Sequence, residues 1–392
     1  MQKTAAMYSK RIIFWSSCAG MLLFGIAIIT LGSIAPDLSV KLELDEIDSG
    51  TLFSILPVGI LAGSLLFGPV ADRFGYRILL SVSSILLFAG LEGLAYAPDK
   101  NSIMIFVFLT GMSGGAINGA TNALMADISG ENKGANLSLL GAFFGLGALG
   151  MPLALGLLRD SHSFESIVTA VGGVSLAAGL FCLFIKFPPA KQSHGIPLPE
   201  VKRMIRDNFI LLVSFFLFFQ SSFEGVINNW TTTYLEDHLK TGETNALYGL
   251  SVYVAGMASM RLVIGSVLRK VPEKNILFFS YWLILSGLIL IIAGDSFVIA
   301  ASGLFLVGAG LAPGFPMMLG FTGSRYAALS GTAFSIVLSI ALIGNMSVNY
   351  LMGIIAKNLG IQHLTTIALA ELLILSSIAI VIMGKINSNS NK

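Results

Sequence analysis

The chain has 392 residues and a formal net charge of +2; apolar side chains make up 55% of it and charged ones only 11%. A soluble domain carries about 25% charged residues, so a water-soluble globule is excluded; the net charge by itself says nothing about a nucleic-acid partner, and none is expected. Two cysteines and four histidines, none at ligand spacing, offer neither a disulfide framework nor a metal site.

Twelve apolar runs follow one another, near 12–36, 50–71, 78–97, 102–127, 136–158, 166–186, 207–235, 245–268, 275–294, 297–321, 331–356 and 364–384. Each is close to the roughly 20 residues a helix needs to cross a bilayer, and none shows the in/out alternation of a membrane barrel. The expected class is an all-α membrane protein of twelve transmembrane helices. Lys3, Lys10 and Arg11 precede the first run, which is too long for a signal-peptide core and lacks an Ala-x-Ala site. It is read as a retained span.

Spans two and three are joined by Gly-Pro-Val-Ala-Asp-Arg-Phe-Gly-Tyr-Arg at 68–77. Gly68 allows a close helix approach, Asp72 ends span two, and Arg73, Gly75 and Arg77 follow; the arginines would otherwise act as cytoplasmic anchors alone. On span four Asn118 and Asn122 stand four apart and share a face, for either a polar cavity or interhelical hydrogen bonding. Span five is rich in glycine (Gly141, Gly145, Gly147, Gly150) and ends toward Pro152, so it should pack closely or bend. The longest interior polar stretch, 187–206, contains four prolines and reads as a cytoplasmic linker ending in a short basic helix. It divides the chain into six-helix bundles at 1–186 and 207–392.

Span seven carries Gln220, Glu224 and Asn228 at i, i+4 and i+8, on one face, with Asn229 and Trp230 beside it. Carboxamides, a carboxylate and an indole suit a polyhydroxylated ligand; the bland alternative for Trp230 is the interfacial aromatic belt. Span eight carries Arg261. Charges inside a span are costly and usually functional, which makes Glu224 and Arg261 candidates for proton coupling. Measured along each helix, Glu224 lies roughly 24 Å and Arg261 about 12 Å from the cytoplasmic end. That difference predicts separate partners, or a water-filled cavity between the two, rather than one tight ion pair, with Gln220 able to bridge. Pro313 and Pro316 should break span ten. Asn345 and Asn349 mark span eleven. Asp37, Glu92 and Glu371 are expected to snorkel from outer helix ends.

With the N-terminus inside, most Lys and Arg residues fall in cytoplasmic segments, and only Lys41, Lys100, Arg159, Lys240 and Lys357 fall outside. That bias predicts two cytoplasmic termini. A shift of 197 residues aligns seven glycines between the halves, among them Gly59 with Gly256, Gly111 with Gly308 and Gly147 with Gly344, where chance gives roughly two or three. The second copy of the 68–77 turn, Gly265-x-x-x-Arg269-Lys270, keeps the glycine and one basic position and loses the aspartate.

The spacing G-x-x-x-D-R-x-G-x-R at 68–77 resembles the loop between helices two and three of the major facilitator superfamily of transporters. Patches around Asn118 and Asn122, Gly141 to Gly147, Glu224 with Asn229 and Trp230, Met260-Arg261 and Gly331 resemble its fucose permease-like sugar branch. The resemblance implies two pseudo-symmetric bundles, alternating access, and a cytoplasmic latch made by Gly68, Asp72, Arg73, Gly75 and Arg77. Taken with the helical spacings above, the expected substrate site is Asn118, Asn122, Gln220, Glu224, Asn228, Asn229, Trp230 and Asn345, and the resemblance implies a sugar as its ligand. Proton-coupled members carry carboxylates in helices one and four, which this chain lacks, leaving Glu224 as first choice for the proton, sodium as an alternative ion, or uniport. Span five also loosely resembles the antiporter signature of drug exporters, so a multidrug or metabolite exporter stays open. A sensor or enzyme has no nucleotide loop or metal cluster to support it. The expected partners are a small polar solute and the lipid bilayer, the expected state is a monomer in the plasma (inner) membrane, and no cofactor is expected.

Overall fold

The computed structural model describes residues 8–129, 133–188, 206–267, 271–326 and 330–390, together with 202 and 204. Among them are helices and no strand, and twelve helical segments are long and apolar enough to cross a membrane. The chain is an all-α membrane protein. The helices are α1 (Lys10–Ser33), α2 (Ala35–Leu42), α3 (Glu46–Tyr96), α4 (Lys100–Ile128), α5 (Lys133–Leu158), α6 (Phe164–Phe184), α7 (Asn208–Thr233), α8 (Glu243–Val267), α9 (Glu273–Ala293), α10 (Phe297–Leu311), α11 (Gly314–Arg325), α12 (Ser330–Leu359) and α13 (Leu364–Ser390). Polar residues ahead of the apolar runs cap them. Asp99 accepts from the Asn101 and Ser102 amides, Asp207 from Phe209, and Ser163 from Ser166, which satisfies amides that open a helix.

Spans two and three are not separated by the expected ten-residue turn. They form one helical run, α3, broken at Gly75 alone. Its φ of 79° and ψ of 164° are open to glycine and strained for other residues. Arg73 and Arg77 are exposed, and Arg73 stacks over the Phe74 ring at 5.3 Å. The surroundings of Gly68, the Asp72 side chain, residues 268–270 of the second turn, and most of the 187–206 linker lie outside what the described residues cover. Span ten breaks as its prolines predict: α10 ends at Leu311 and α11 begins at Gly314.

Contacts divide the chain into two compact units, one of residues 1–44 and 55–194, the other of 45–54 and 195–392. In the first, α1 packs against α4 and α5, and Gly147 sits directly on the Leu22 carbonyl. Asp37 does not snorkel freely. Both its oxygens accept from Arg159, at 2.6 and 3.1 Å, because α5 ends opposite it with the matching cation. Glu92 accepts from Thr169 at 3.3 Å, and Lys41 pairs with Glu165 at 2.9 Å.

In the second unit α7 packs against α12, and α10 against α8 and α9. Gly344 sits on the Phe218 carbonyl. The start of α3 belongs to this unit: Ser54 Oγ donates to the Met346 carbonyl at 2.7 Å, Lys357 pairs with Asp45 at 2.6 Å, and Gly50 meets Gly353 backbone to backbone.

The 197-residue shift reappears in these contacts. Gly59 lies on the Phe108 carbonyl and Gly111 on that of Leu56; in the second unit Gly256 lies on the Phe305 carbonyl and Gly308 on that of Tyr253. Glycine and carbonyl alike are displaced by the same interval. Each unit therefore joins its second and fourth spans by reciprocal backbone approaches, the first unit adding Gly63 on the Met112 carbonyl and Gly115 on that of Ile60, a device suited to lipid, where close packing replaces the hydrophobic effect between helices.

Gly256→Ala should lower stability by about 1–3 kcal/mol through overpacking, seen as a lower melting temperature in detergent. Gly141→Ala, where a methyl group meets nothing within 4 Å, should be neutral or up to ~1 kcal/mol stabilising. The hydrogen bond from Lys357 holds the Asp45 carboxyl below its ordinary value of 3.8. A depressed folded value means that this contact stabilises above the ordinary carboxylate range and is lost as pH falls through the folded value. Asp45→Asn should remove that acid-dependent part of the melting curve; an unchanged acid limb in the variant would exclude the pair as its source.

Candidate functional site

The polar residues of the second unit gather on α7, in two groups on different faces. The first is built on Gln220, 2% exposed. Its Nε2 donates to Glu224 Oε1 at 2.8 Å and to the Leu311 carbonyl at 2.9 Å. The second acceptor exists because the proline-rich break between α10 and α11 ends the helix at that carbonyl. Gly314 lies flat against the Gln220 amide, where a Cβ would overlap it. A carboxamide nitrogen has two N–H groups, and both are used here, so Gln220 positions Glu224 and has no donor left.

The other Glu224 oxygen faces Arg261 Nη2 at 3.8 Å. The two groups are thus each other's neighbours, where separate partners were one expectation, yet at 3.8 Å they do not form a tight, hydrogen-bonded pair. Depth along the helix is an incomplete measure. Side chains on a helix lean toward its N-terminus, and α8, returning after the short connection from α7, carries the long Arg261 side chain back toward Glu224. The pair is reachable: Glu224 side-chain exposure is 15% and that of Arg261 30%. Asn228, one turn on, is likewise half-buried. Tyr253 on α8, eight residues before Arg261 and on nearly the same face, brings a buried hydroxyl without a hydrogen-bond partner among the described residues. That spacing was visible in the sequence and is the signal by which Tyr253 could have been found.

The second group is a carboxamide ladder between α7 and α12. Asn345 Nδ2 donates to the Ser221 carbonyl at 2.8 Å, Asn349 Nδ2 to the Asn345 side chain at 3.0 Å, and Asn229 Nδ2 to Asn349 Oδ1 at 3.0 Å. Gly225 gives Asn345 its room. Asn229 and Asn349 are 5% and 0% exposed, so this ladder joins two helices. Trp230 is 1% exposed and meets Phe53 edge to face at 5.1 Å.

In the first unit Asn122 Nδ2 donates to the Asn118 carbonyl and side chain, at 2.9 and 2.8 Å, and touches Met21 Sδ at 3.9 Å. Both asparagines are half-buried. Among the described residues no group of three or more side chains could hold a metal ion.

Glu371 on α13 departs most from expectation. It does not snorkel: it is 3% exposed and hydrogen-bonded to Ser222. Position 371 is already two turns inside the span, too deep for a glutamate to reach an interface when α7 covers it. Ser222 gave no sign of this in the sequence, because the contact spans 149 positions.

A family model described as Major Facilitator Superfamily matches residues 17–348. An uncharacterised transporter, y4wD, of Sinorhizobium fredii is 24% identical over 86% of this chain and 90% of its own length. Sodium-dependent glucose transporter 1 of Xenopus laevis is 24% identical over 83% of this chain and 73% of its own. The multi-drug resistance efflux pump PmrA of Streptococcus pneumoniae is 25% identical, over 58% of this chain and 57% of the pump. Among solved structures, a point mutant of the nucleoside transporter NupG superposes with a TM-score of 0.80 at 15% identity, covering 96% of this chain and 99% of that one. A D-xylose-proton symporter reaches 0.76 at 15% identity, covering 94% and 97%; at such identity these two establish the fold.

Gln220→Leu should leave the Leu311 carbonyl and one Glu224 oxygen without donors. A lost buried partner costs about 1–3 kcal/mol, read as a lower melting temperature, whereas Asn228→Leu should leave stability within about 0.5 kcal/mol.

Proposed function

We propose, for a chain that belongs to the Major Facilitator Superfamily, that it is a secondary transporter carrying a neutral monosaccharide or similar polyol by alternating access. The observation that carries this reading is the Gln220–Glu224–Arg261 cluster. A carboxylate held by one amide and faced by a guanidinium at 3.8 Å sets acceptor lone pairs and N–H donors side by side, and it remains partly accessible inside an apolar bundle. Adjacent hydroxyls on a sugar ring both donate and accept, so they match such a pair. Asn228 extends the same face of α7; within the first unit, taken by itself, Asn118 and Asn122 form a carboxamide pair that suits the same chemistry. Asn229, Asn345 and Trp230 then shape the site from behind. The glucose transporter among the relatives supports the substrate class.

Transport is coupled to a proton or to sodium. The 68–77 segment is the cytoplasmic latch, with Asp72, Arg73 and Arg77 as its charges and Gly75 as its break; a contact of this kind needs only a few kcal/mol to shift an inward/outward equilibrium. Positive charges place both termini in the cytoplasm of a plasma (inner) membrane protein. A second reading, an exporter of apolar compounds, is favoured by the partial identity with the efflux pump.

Proteoliposomes loaded and challenged with labelled hexoses, pentoses and a lipophilic drug test both. Saturable hexose or pentose uptake is expected. Glu224→Gln removes a charged hydrogen-bond acceptor worth about 1.5–3 kcal/mol and should raise KM by roughly 10–100-fold. Drug transport without sugar uptake would reverse the assignment in favour of the exporter.

A further inference from the structure

Ser222 and Glu371 pose a problem of hydrogen counting. Ser222 Oγ is fully buried and lies within hydrogen-bond distance of two oxygens: the Phe219 carbonyl, at 3.0 Å, and Glu371 Oε1. A hydroxyl has one proton to give. If Glu371 were ionised, both neighbours would be acceptors competing for that proton, and one would go without. The second carboxyl oxygen, Oε2, is buried and has no hydrogen-bond partner among the described residues. Among those residues no cation stands in for one. The elements packed against α13 are α7, α9, α12 and the 361–363 turn. Their titratable groups are Glu224, already committed to Arg261, then Glu273, Lys274 and Tyr281 on α9, Tyr350 and Lys357 on α12, and His363. None of them hydrogen-bonds or pairs with Glu371. Burial of an ionised carboxylate with one donor and no counter-charge is strongly disfavoured. One arrangement satisfies every group at the serine: Glu371 protonated and donating to Ser222 Oγ, with Ser222 donating to Phe219.

We propose that Glu371 carries a proton in this conformation and is a proton-exchange site of the transporter. When α7 and α13 part at Ser222 and water enters, the carboxyl O–H bond breaks, the proton passes to water and the electron pair stays on the carboxylate. The ion cannot return to the dry contact until it is reprotonated. Ser222 lies two residues from Glu224 on the same helix, so a displacement of α7 at the polar cluster is also a displacement at Glu371. The coupling role rests on the transporter reading above; the protonation does not.

The two are tested separately on the purified full-length protein. Infrared spectra at pH 7 should contain a protonated-carboxyl band that is absent in Glu371→Gln and shifted in frequency in Ser222→Ala, a variant that changes the hydrogen bond and keeps the acid. Wild-type and E371Q spectra without that difference would overturn the proposal. In proteoliposomes with an imposed pH gradient, E371Q should lower gradient-driven uptake at least tenfold while solute exchange without a gradient persists. Gradient-driven accumulation equal to wild type would overturn the coupling role. Wild-type protein that shows the band and moves no sugar would sustain the proton site and reject the substrate class instead.

Discussion

Inside hydrocarbon there is no water to complete a hydrogen bond, so each polar group on a spanning helix must find its partner within the protein. α7 is where this constraint presses hardest. Along one stretch it carries Gln220, Ser221, Ser222, Glu224 and Asn229, which are met by four neighbouring helices: α10 for Gln220, α12 for the Ser221 carbonyl and Asn229, α13 for Ser222, and α8 for Glu224. The helix thereby acts as the hub of its unit. The proline break in span ten and the bare backbone at Gly225 and Gly314 follow from the same need, since they supply the carbonyl and the space that these side chains require.

Two carboxylates within a few residues of this hub have been given opposite surroundings. Glu224 has an amide donor, a guanidinium and partial access. Glu371 has one hydroxyl, an apolar wall and no access. One carboxylate is thus set among polar partners and the other against an apolar wall. In the first unit the corresponding polar feature is the neutral Asn118–Asn122 pair.

The fold was legible from hydropathy because span length and charge spacing are set by bilayer thickness, a property each segment carries alone. Internal repetition was legible too, since glycine is the one residue whose position reports a backbone approach; the reciprocal contacts at Gly59 and Gly256 explain why those columns aligned. Gln220 and Glu224 could be paired by helical spacing. What could not be read were relations across helices. Arg261 reaches Glu224 through the lean of a side chain, Asp37 meets Arg159 and Glu371 meets Ser222 across more than a hundred residues, and no local pattern encodes those distances. The ten-residue turn at 68–77 shrank to a single break because Gly75 alone supplies the needed dihedral angles.

The reciprocal glycine contacts also bear on how such a chain can change over time. They fix helix axes through backbone atoms, which are common to every residue, so the frame is indifferent to nearly all side chains that project from it. The polar side chains described above stand on other faces of the helices. Polar side chains on those faces, such as Glu224 and Asn228, can therefore change without redrawing the scaffold. Sequences can drift far apart under this rule while their shapes stay superposable.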